Sequence, residues 1–187
     1  MCIRDRAFKS SQVNWYIKRN GKPTLQVIPT FKGVYAETES YWGVASFTTK
    51  YVIIIDVGFG TTDYLIMEKG HGERFKKSTP NGLIELFRQH ATGNASLGEL
   101  DYLNGVANLN NVDFFLSPVK NNAIQMLKAF NLPHNDTTLC VIGGGAKLMT
   151  QTLKDELTAY FHKTKYGDAY SNAQGLNAMA RGESVSY

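Results

Sequence analysis

The chain has 187 residues, of which 43% are hydrophobic and 19% charged, and a net charge of +4 with no block of five like charges. These values fit a soluble globular protein with one sizeable core or one and a half small ones, and the scattered basic residues read as solvated surface, with nucleic-acid contact the lesser option. The longest unbroken apolar run, Val52 to Ile55, is far short of the ~20 residues of a membrane span, and residues 1–20 hold no apolar segment of a signal peptide.

The first six residues, Met1-Cys-Ile-Arg-Asp-Arg6, resemble translated sequencing-adapter sequence, which implies a gene cut at its 5′ end. From Val13 to Arg19 apolar residues alternate loosely, Asn20-Gly-Lys-Pro23 is a turn signal, and Thr24–Pro29 reads as a strand stopped by proline, so the first element is a hairpin. Phe31 to Phe47 has helical spacing, with Tyr35 and Trp42 on the inner face and Glu37 and Glu39 on the wet one.

Tyr51–Val57 is β-branched and apolar throughout, the mark of a central strand covered on both faces, and it ends in Asp56-Val-Gly-Phe-Gly-Thr-Thr-Asp63. Thr62–Glu68 follows at once, so Gly58 and Gly60 make a tight hairpin turn, and Lys69–Gly72 turns into a more polar strand at Glu73–Ser78. The pattern Leu83, Ile84, Leu86, Phe87 predicts a helix over 80–90, and Ser96–Leu103, with Ser96 as cap and Glu99 at the capping-box position, predicts another. Residues 104–116 are asparagine-rich and read as loop. Ser117-Pro118 predicts a helix start that runs to about Phe130, with Val119, Ile124, Leu127 and Ala129 facing inward. Thr138–Ile142 is a buried strand, Gly143-Gly-Gly145 its terminal loop, and Ala146–Phe161 the next helix; a last helix starts near Asn172. The order is α/β with a hairpin-fed sheet, unlike a doubly wound dinucleotide-binding fold.

Two loops carry candidate chemistry. In the first, Gly58 and Gly60 let backbone N–H groups approach an anion, Thr61 and Thr62 add hydroxyls, and Asp56 is suited to hold water on a magnesium ion, with Asp63 in the outer shell. The alternative is an ordinary hairpin with a glycine bulge. In the second, Gly143, Gly144 and Gly145 leave a side-chain-free surface that admits a nucleoside or phosphate, with Lys147 in reach; the alternative is close helix–sheet packing. Neither loop has the Gly-Lys-Ser/Thr of a P-loop or a Gly-x-Gly-x-x-Gly fingerprint.

The remaining polar candidates read as structural. His71, His90, His134 and His162 have no metal-ligand spacing, Ser117 and Ser171 read as helix caps, and Lys76-Lys77 with Lys163 and Lys165 read as solvated surface. Cys2 and Cys140 form no ligand motif. Cys140, in an apolar strand, reads as a buried free thiol of a reducing, cytoplasmic compartment.

The ordered pair of loops, Asp56–Asp63 and Val141–Leu148, resembles the second phosphate loop and the adenosine loop of the actin-like ATPases, the superfamily of actin, sugar kinases and heat-shock chaperones. Tyr170-Ser-Asn-Ala-Gln-Gly-Leu-Asn-Ala-Met179 resembles a C-terminal stretch of ParM-like plasmid-segregation filaments, and Val27-Ile-Pro29 with Gly33 resembles the link before their second lobe. The resemblance covers residues 24–182. It implies an actin-like, ribonuclease H-like lobe: a mixed sheet with flanking helices over 48–187, with 1–47 as the remnant of a first lobe to which the last helix returns. It also implies ATP and Mg²⁺ as cofactors, contacts to the nucleotide by Gly58, Phe59, Gly60, Thr61, Thr62, Gly143, Gly144, Gly145 and Lys147, self-association into filaments, and DNA reached only through an adaptor protein. Two departures follow. No Asp-x-Gly of an earlier phosphate loop precedes Asp56, and Thr30 stands where a Glu or Gln commonly positions the hydrolytic water, so Asp56 and Thr30 are the catalytic candidates and binding is better supported than turnover. A nucleotide-binding scaffold without turnover and a small-molecule kinase of the same fold are the rival readings.

Overall fold

The computed structural model describes residues 15–19, 22–27, 48–90 and 112–172. The chain divides into two compact units, Met1–Thr38 and Glu39–Tyr187. In the first, β1 (Trp15–Arg19) pairs antiparallel with β2 (Lys22–Val27), with a register shift between Ile17 and Lys18. This is the expected hairpin. The helices expected over 31–47 and 96–103, with Tyr35, Trp42, Glu37 and Glu39, lie outside the described residues.

The second unit is built on a five-stranded sheet: β3 (Tyr51–Val57), β4 (Thr62–Glu68), β5 (Gly72–Thr79), β6 (Thr137–Ile142) and β7 (Lys163–Tyr166), in the order β5-β4-β3-β6-β7. The β3–β4 and β4–β5 pairs are antiparallel, and β3–β6 and β6–β7 are parallel. Antiparallel neighbours are joined by tight turns, whereas β6 returns beside β3 through the crossover that contains α1 (Ile84–His90) and α2 (Val112–Ala129). A second connection, through α3 (Gln151–Thr158), adds β7.

The sequence of β3 explains its central place. All seven residues are buried, and successive side chains alternate between two apolar clusters. Tyr51, Ile53, Ile55 and Val57 face Leu116, Val119, Ala123, Met126 and Leu127 of α2 and Leu153 and Leu157 of α3, while Val52 and Ile54 join Leu65, Met67, Cys140 and Ile142 on the other side. Each fully buried Val, Leu, Ile or Met among them contributes about 1.5–3 kcal/mol. At the strand starts, the Thr49 hydroxyl lies 2.8 Å from that of Thr138, and Lys50 N donates to Asp136 Oδ1 at 2.8 Å, which fixes the β3–β6 register.

Two expectations are corrected, and one strand is added. First, α2 starts at Val112 and carries Pro118 inside it, where a start at Ser117 was expected. Burial decides this: Leu116 is fully buried, and Val112 and Phe115 pack on the core, so the helix extends N-terminally past the proline. The carbonyl that Pro118 leaves without a helical donor belongs to Phe114, which is 84% exposed. The inward residues are Leu116, Val119, Ala123, Met126 and Leu127; Ile124 is half-buried and Ala129 exposed. Second, the chain after the glycine triplet is a 3-10 segment, Gly144–Leu148, and the α-helix begins only at Gln151, where the Thr150 hydroxyl accepts from Leu153 N. Lys163 and Lys165 are exposed as expected, and they lie on the edge strand β7, which the sequence reading left unmarked. Thr164 and Tyr166 are half-buried, an alternation too short and polar to stand out.

Candidate functional site

The two glycine loops leave the carboxyl ends of the neighbouring parallel strands β3 and β6, in register at Asp56 and Ile142. In sheets with parallel crossovers this is the end where ligands bind. Asp56 is 8% exposed. By alternation it shares the sheet face of Val52 and Ile54, and its ladder partner Asp63 shares that face. Asp56 Oδ2 accepts a hydrogen bond from Asn172 Nδ2 at 2.7 Å, while Asp63 Oδ2 accepts from the Thr61 hydroxyl at 3.3 Å.

The first loop is fixed at several points. Gly58 N donates to Thr61 O at 2.9 Å and closes the turn. Leu83 N and Ile84 N donate to the carbonyls of Gly58 and Phe59 at 3.0 and 2.8 Å, so the loop rests on the start of α1. The Phe59 ring stacks on Phe87 with centroids 5.8 Å apart. Gly82 permits this approach: a Cβ there would stand 2.4 Å from the carbonyl oxygen of Phe59. Gly82 carried no signal in the sequence, because its partner lies in another loop.

The glycines of the candidate site divide by cause. Gly143 has φ +84°, and a Cβ on it would meet Asp56 Oδ1 at 2.3 Å and Val57 O at 2.6 Å. A Cβ on Gly145 would meet Val57 Cγ1 at 2.3 Å, one on Gly144 Leu83 Cδ1 at 3.2 Å, and one on Gly58 Thr61 O at 3.1 Å. These glycines serve close backbone packing, and the triplet thereby lies against β3. Gly60 is different. It is exposed, its φ is not positive, and a Cβ there would meet nothing within 4 Å. Nothing among the described residues asks for a glycine at 60.

Of the other expected contacts, Thr61 and Lys147 are exposed, Phe59 is half-buried, and Thr62 is buried with its hydroxyl donating to the Asn81 carbonyl. Thr30 lies outside the described residues. His71, His134 and His162 are exposed. Among the described residues no group of three or more His, Cys, Asp or Glu converges on a metal-sized space. Two clefts, of about 190 and 400 Å³, open between α2 and the β4–β5 side of the sheet, away from Asp56. Sequence reasoning missed Asn172 as a partner of Asp56, since 116 residues separate them.

No protein-family model and no curated protein matches the sequence. Several solved structures are similar. A Bacillus thuringiensis ParM hybrid protein with ADP matches over 78% of this chain and 28% of its own length, at 12% identity and a TM-score of 0.52. The Alp12 filament structure matches over 78% and 52%, at 14% identity and a TM-score of 0.50. A pCBH ParM non-polymerisable quadruple mutant matches over 75% and 49%, at 16% identity and a TM-score of 0.49. The chain spans about half the length of such structures, or less. Among the described residues no helix is long and apolar enough to cross a membrane. With its mixed sheet ordered β5-β4-β3-β6-β7 and the likeness to the ParM hybrid and Alp12, the chain has the fold of an actin-like ATPase domain.

Proposed function

We infer that this chain is an ATP-binding lobe of an actin-like, filament-forming protein of plasmid or phage DNA segregation. One observation carries the reading: Asp56 and both glycine loops converge at the carboxyl ends of β3 and β6, where Gly60 lies open and nothing among the described residues crowds it. The likeness to a ParM structure with ADP and to a filament structure supports it.

The residues present fit a magnesium–nucleotide. The open Gly60 backbone offers a donor to phosphate oxygens in a turn already held by α1, and the exposed Thr61 hydroxyl can turn to them from its 3.3 Å bond to Asp63 Oδ2. Asp56 and Asp63 suit Mg²⁺, which keeps several waters and takes one or two carboxylates, so the lack of a larger acidic cluster is no obstacle. Bound there, Mg²⁺ shields the phosphate charge. Gly143–Gly145 line the nucleoside side, and the exposed Lys147 supplies a positive charge beside it. A head-to-tail stack of such subunits is a heterologous contact that propagates without closing. In the cytoplasm the filament would reach DNA through an adaptor protein.

The test is light scattering with Mg²⁺-ATP. Scattering that rises on nucleotide addition and is lost in Asp56→Ala supports the reading; unchanged polymerisation of that variant counts against it. Tight ATP binding without phosphate release identifies the scaffold without turnover, and phosphorylation of a small acceptor identifies the kinase.

A further inference from the structure

The turn after β7 is tied to the end of β6 at two points. Gly167 N donates to Val141 O at 2.8 Å, and Gly143 N donates to Asp168 O at 3.2 Å. The turn is also bonded within itself: Asp168 Oδ1 accepts from Tyr170 N at 2.8 Å, Ser171 Oγ accepts from Asp168 N at 2.8 Å, and Ser171 N donates to Asp168 O at 3.1 Å. Gly167 has no room for a side chain, since a Cβ there would lie 2.2 Å from Ser171 Oγ. This built segment delivers Asn172 to the site.

The two ends of the Asn172 amide differ. Its nitrogen donates to Asp56 Oδ2 at 2.7 Å, whereas its oxygen is buried and accepts from no donor among the described residues. A flip of the amide does not cure this, because an ionised carboxylate only accepts. A buried acceptor left open among the described residues, beside a carboxylate at the mouth of two glycine loops, offers a place for a bound water to donate. On the other side, the backbone of Gly143 is packed against Asp56 Oδ1. Asp56 is thus gripped from two directions.

We propose that Asn172 is a positioning residue of the candidate site: its amide nitrogen holds Asp56 in one orientation, and its amide oxygen accepts from a water shared with a bound magnesium–polyphosphate. The inference rests on the nucleotide reading above. It makes the segment after β7 part of the metal end of the site.

The test is binding of fluorescent N-methylanthraniloyl-ADP in EDTA and across a MgCl₂ titration, with wild type, Asn172→Ala and the isosteric Asn172→Asp, and the melting temperature of each protein without ligand. In Asn172→Ala the affinity in EDTA stays within twofold of wild type, while the Mg²⁺ concentration for half-maximal tightening rises at least tenfold. Asn172→Asp keeps an acceptor but sets a second carboxylate against Asp56, a charge that a cation relieves, so it weakens binding in EDTA and shifts the Mg²⁺ midpoint downward; it carries the test where the alanine variant does not fold. An unchanged Mg²⁺ midpoint in both variants overturns the proposal, as does an equal loss of affinity with and without Mg²⁺. If wild type binds no nucleotide in either condition, the nucleotide reading itself fails, a result distinct from a normal wild type with silent variants.

Discussion

Asp56 and Asp63 stand directly opposite each other in the β3–β4 ladder, one pair before the turn. Cross-strand partners point to one face with Cβ atoms roughly 4.5–5.5 Å apart, and like charges there destabilise a sheet by roughly 0.2–1 kcal/mol. A cation at the site relieves this repulsion. Asp63→Asn is therefore expected to raise the stability of the ligand-free protein by up to about 1 kcal/mol in urea denaturation while weakening Mg²⁺-dependent nucleotide binding. Lower stability together with unchanged binding would show that the pair is not a charge site.

The glycines offer a paired test. Gly143→Ala puts a Cβ on a backbone at φ +84° and ψ 177°, 2.3 Å from Asp56 Oδ1. That conformation alone costs about 1–3 kcal/mol for a non-glycine residue, so a fall of at least that size is expected in chemical denaturation. Gly60→Ala meets open space and is expected to leave stability unchanged or up to about 1 kcal/mol higher, yet to weaken nucleotide binding. Full binding by Gly60→Ala removes the argument that its openness serves a ligand.

Glu68 sets part of the pH response. Its side chain is 10% exposed, with Lys50 Nζ at 3.3 Å and Arg74 Nη1 at 2.9 Å. Burial pushes its carboxyl up, but the hydrogen bonds from Lys50 and Tyr51 and the charges of Arg74 and Lys50 outweigh that and hold it below the ordinary glutamate range. A carboxyl lowered in the folded state contributes stability that is fully present above its unfolded pKa and is lost as pH falls through the folded one. Thermal melts between neutral and acid pH should therefore show a shallower acid decline for Glu68→Gln than for wild type. Identical slopes would remove Glu68 from the acid response.

Cys140 lies in β6 with its thiol pushed up to about 12 by burial, an effect that Asp56 reinforces and Lys165 opposes. Its thiolate is therefore scarce at pH 8. We expect no alkylation of Cys140 by iodoacetamide in the folded protein and rapid labelling in guanidinium, read by peptide mass mapping. Labelling at equal rates in both states would contradict the burial of β6.

Much of the fold was legible because its strongest signals are local. Tyr51–Val57 is a continuous β-branched run, and Thr62–Glu68 follows after a glycine turn; both strands lie where the sequence put them. The β1–β2 hairpin was legible from Asn20-Gly-Lys-Pro23. The start of α2 was not, because a Ser-Pro pair is a strong local start signal that the buried Leu116 overrides from across the core. The strand β7 was hidden by its two exposed lysines, since an edge strand needs only one modestly buried face.

At the site, the sequence identified the two loops but not what the glycines do within them. Gly143 and Gly145 have their reasons in Asp56 and Val57, which lie far away in the chain, and Gly82 has its reason in Phe59. The hydroxyl of Thr62 turns to Asn81, a bond that no spacing rule announces. The Asn172–Asp56 contact was out of reach for the same cause: it exists only once β6 has returned beside β3.

The outer strands of the five-stranded sheet both carry cations, Arg74, Lys76 and Lys77 on β5 and Lys163 and Lys165 on β7. Two copies brought rim to rim would confront these charges across edges that carry no further strand among the described residues. Lateral zippering of sheets into an amyloid-like ribbon is thereby discouraged.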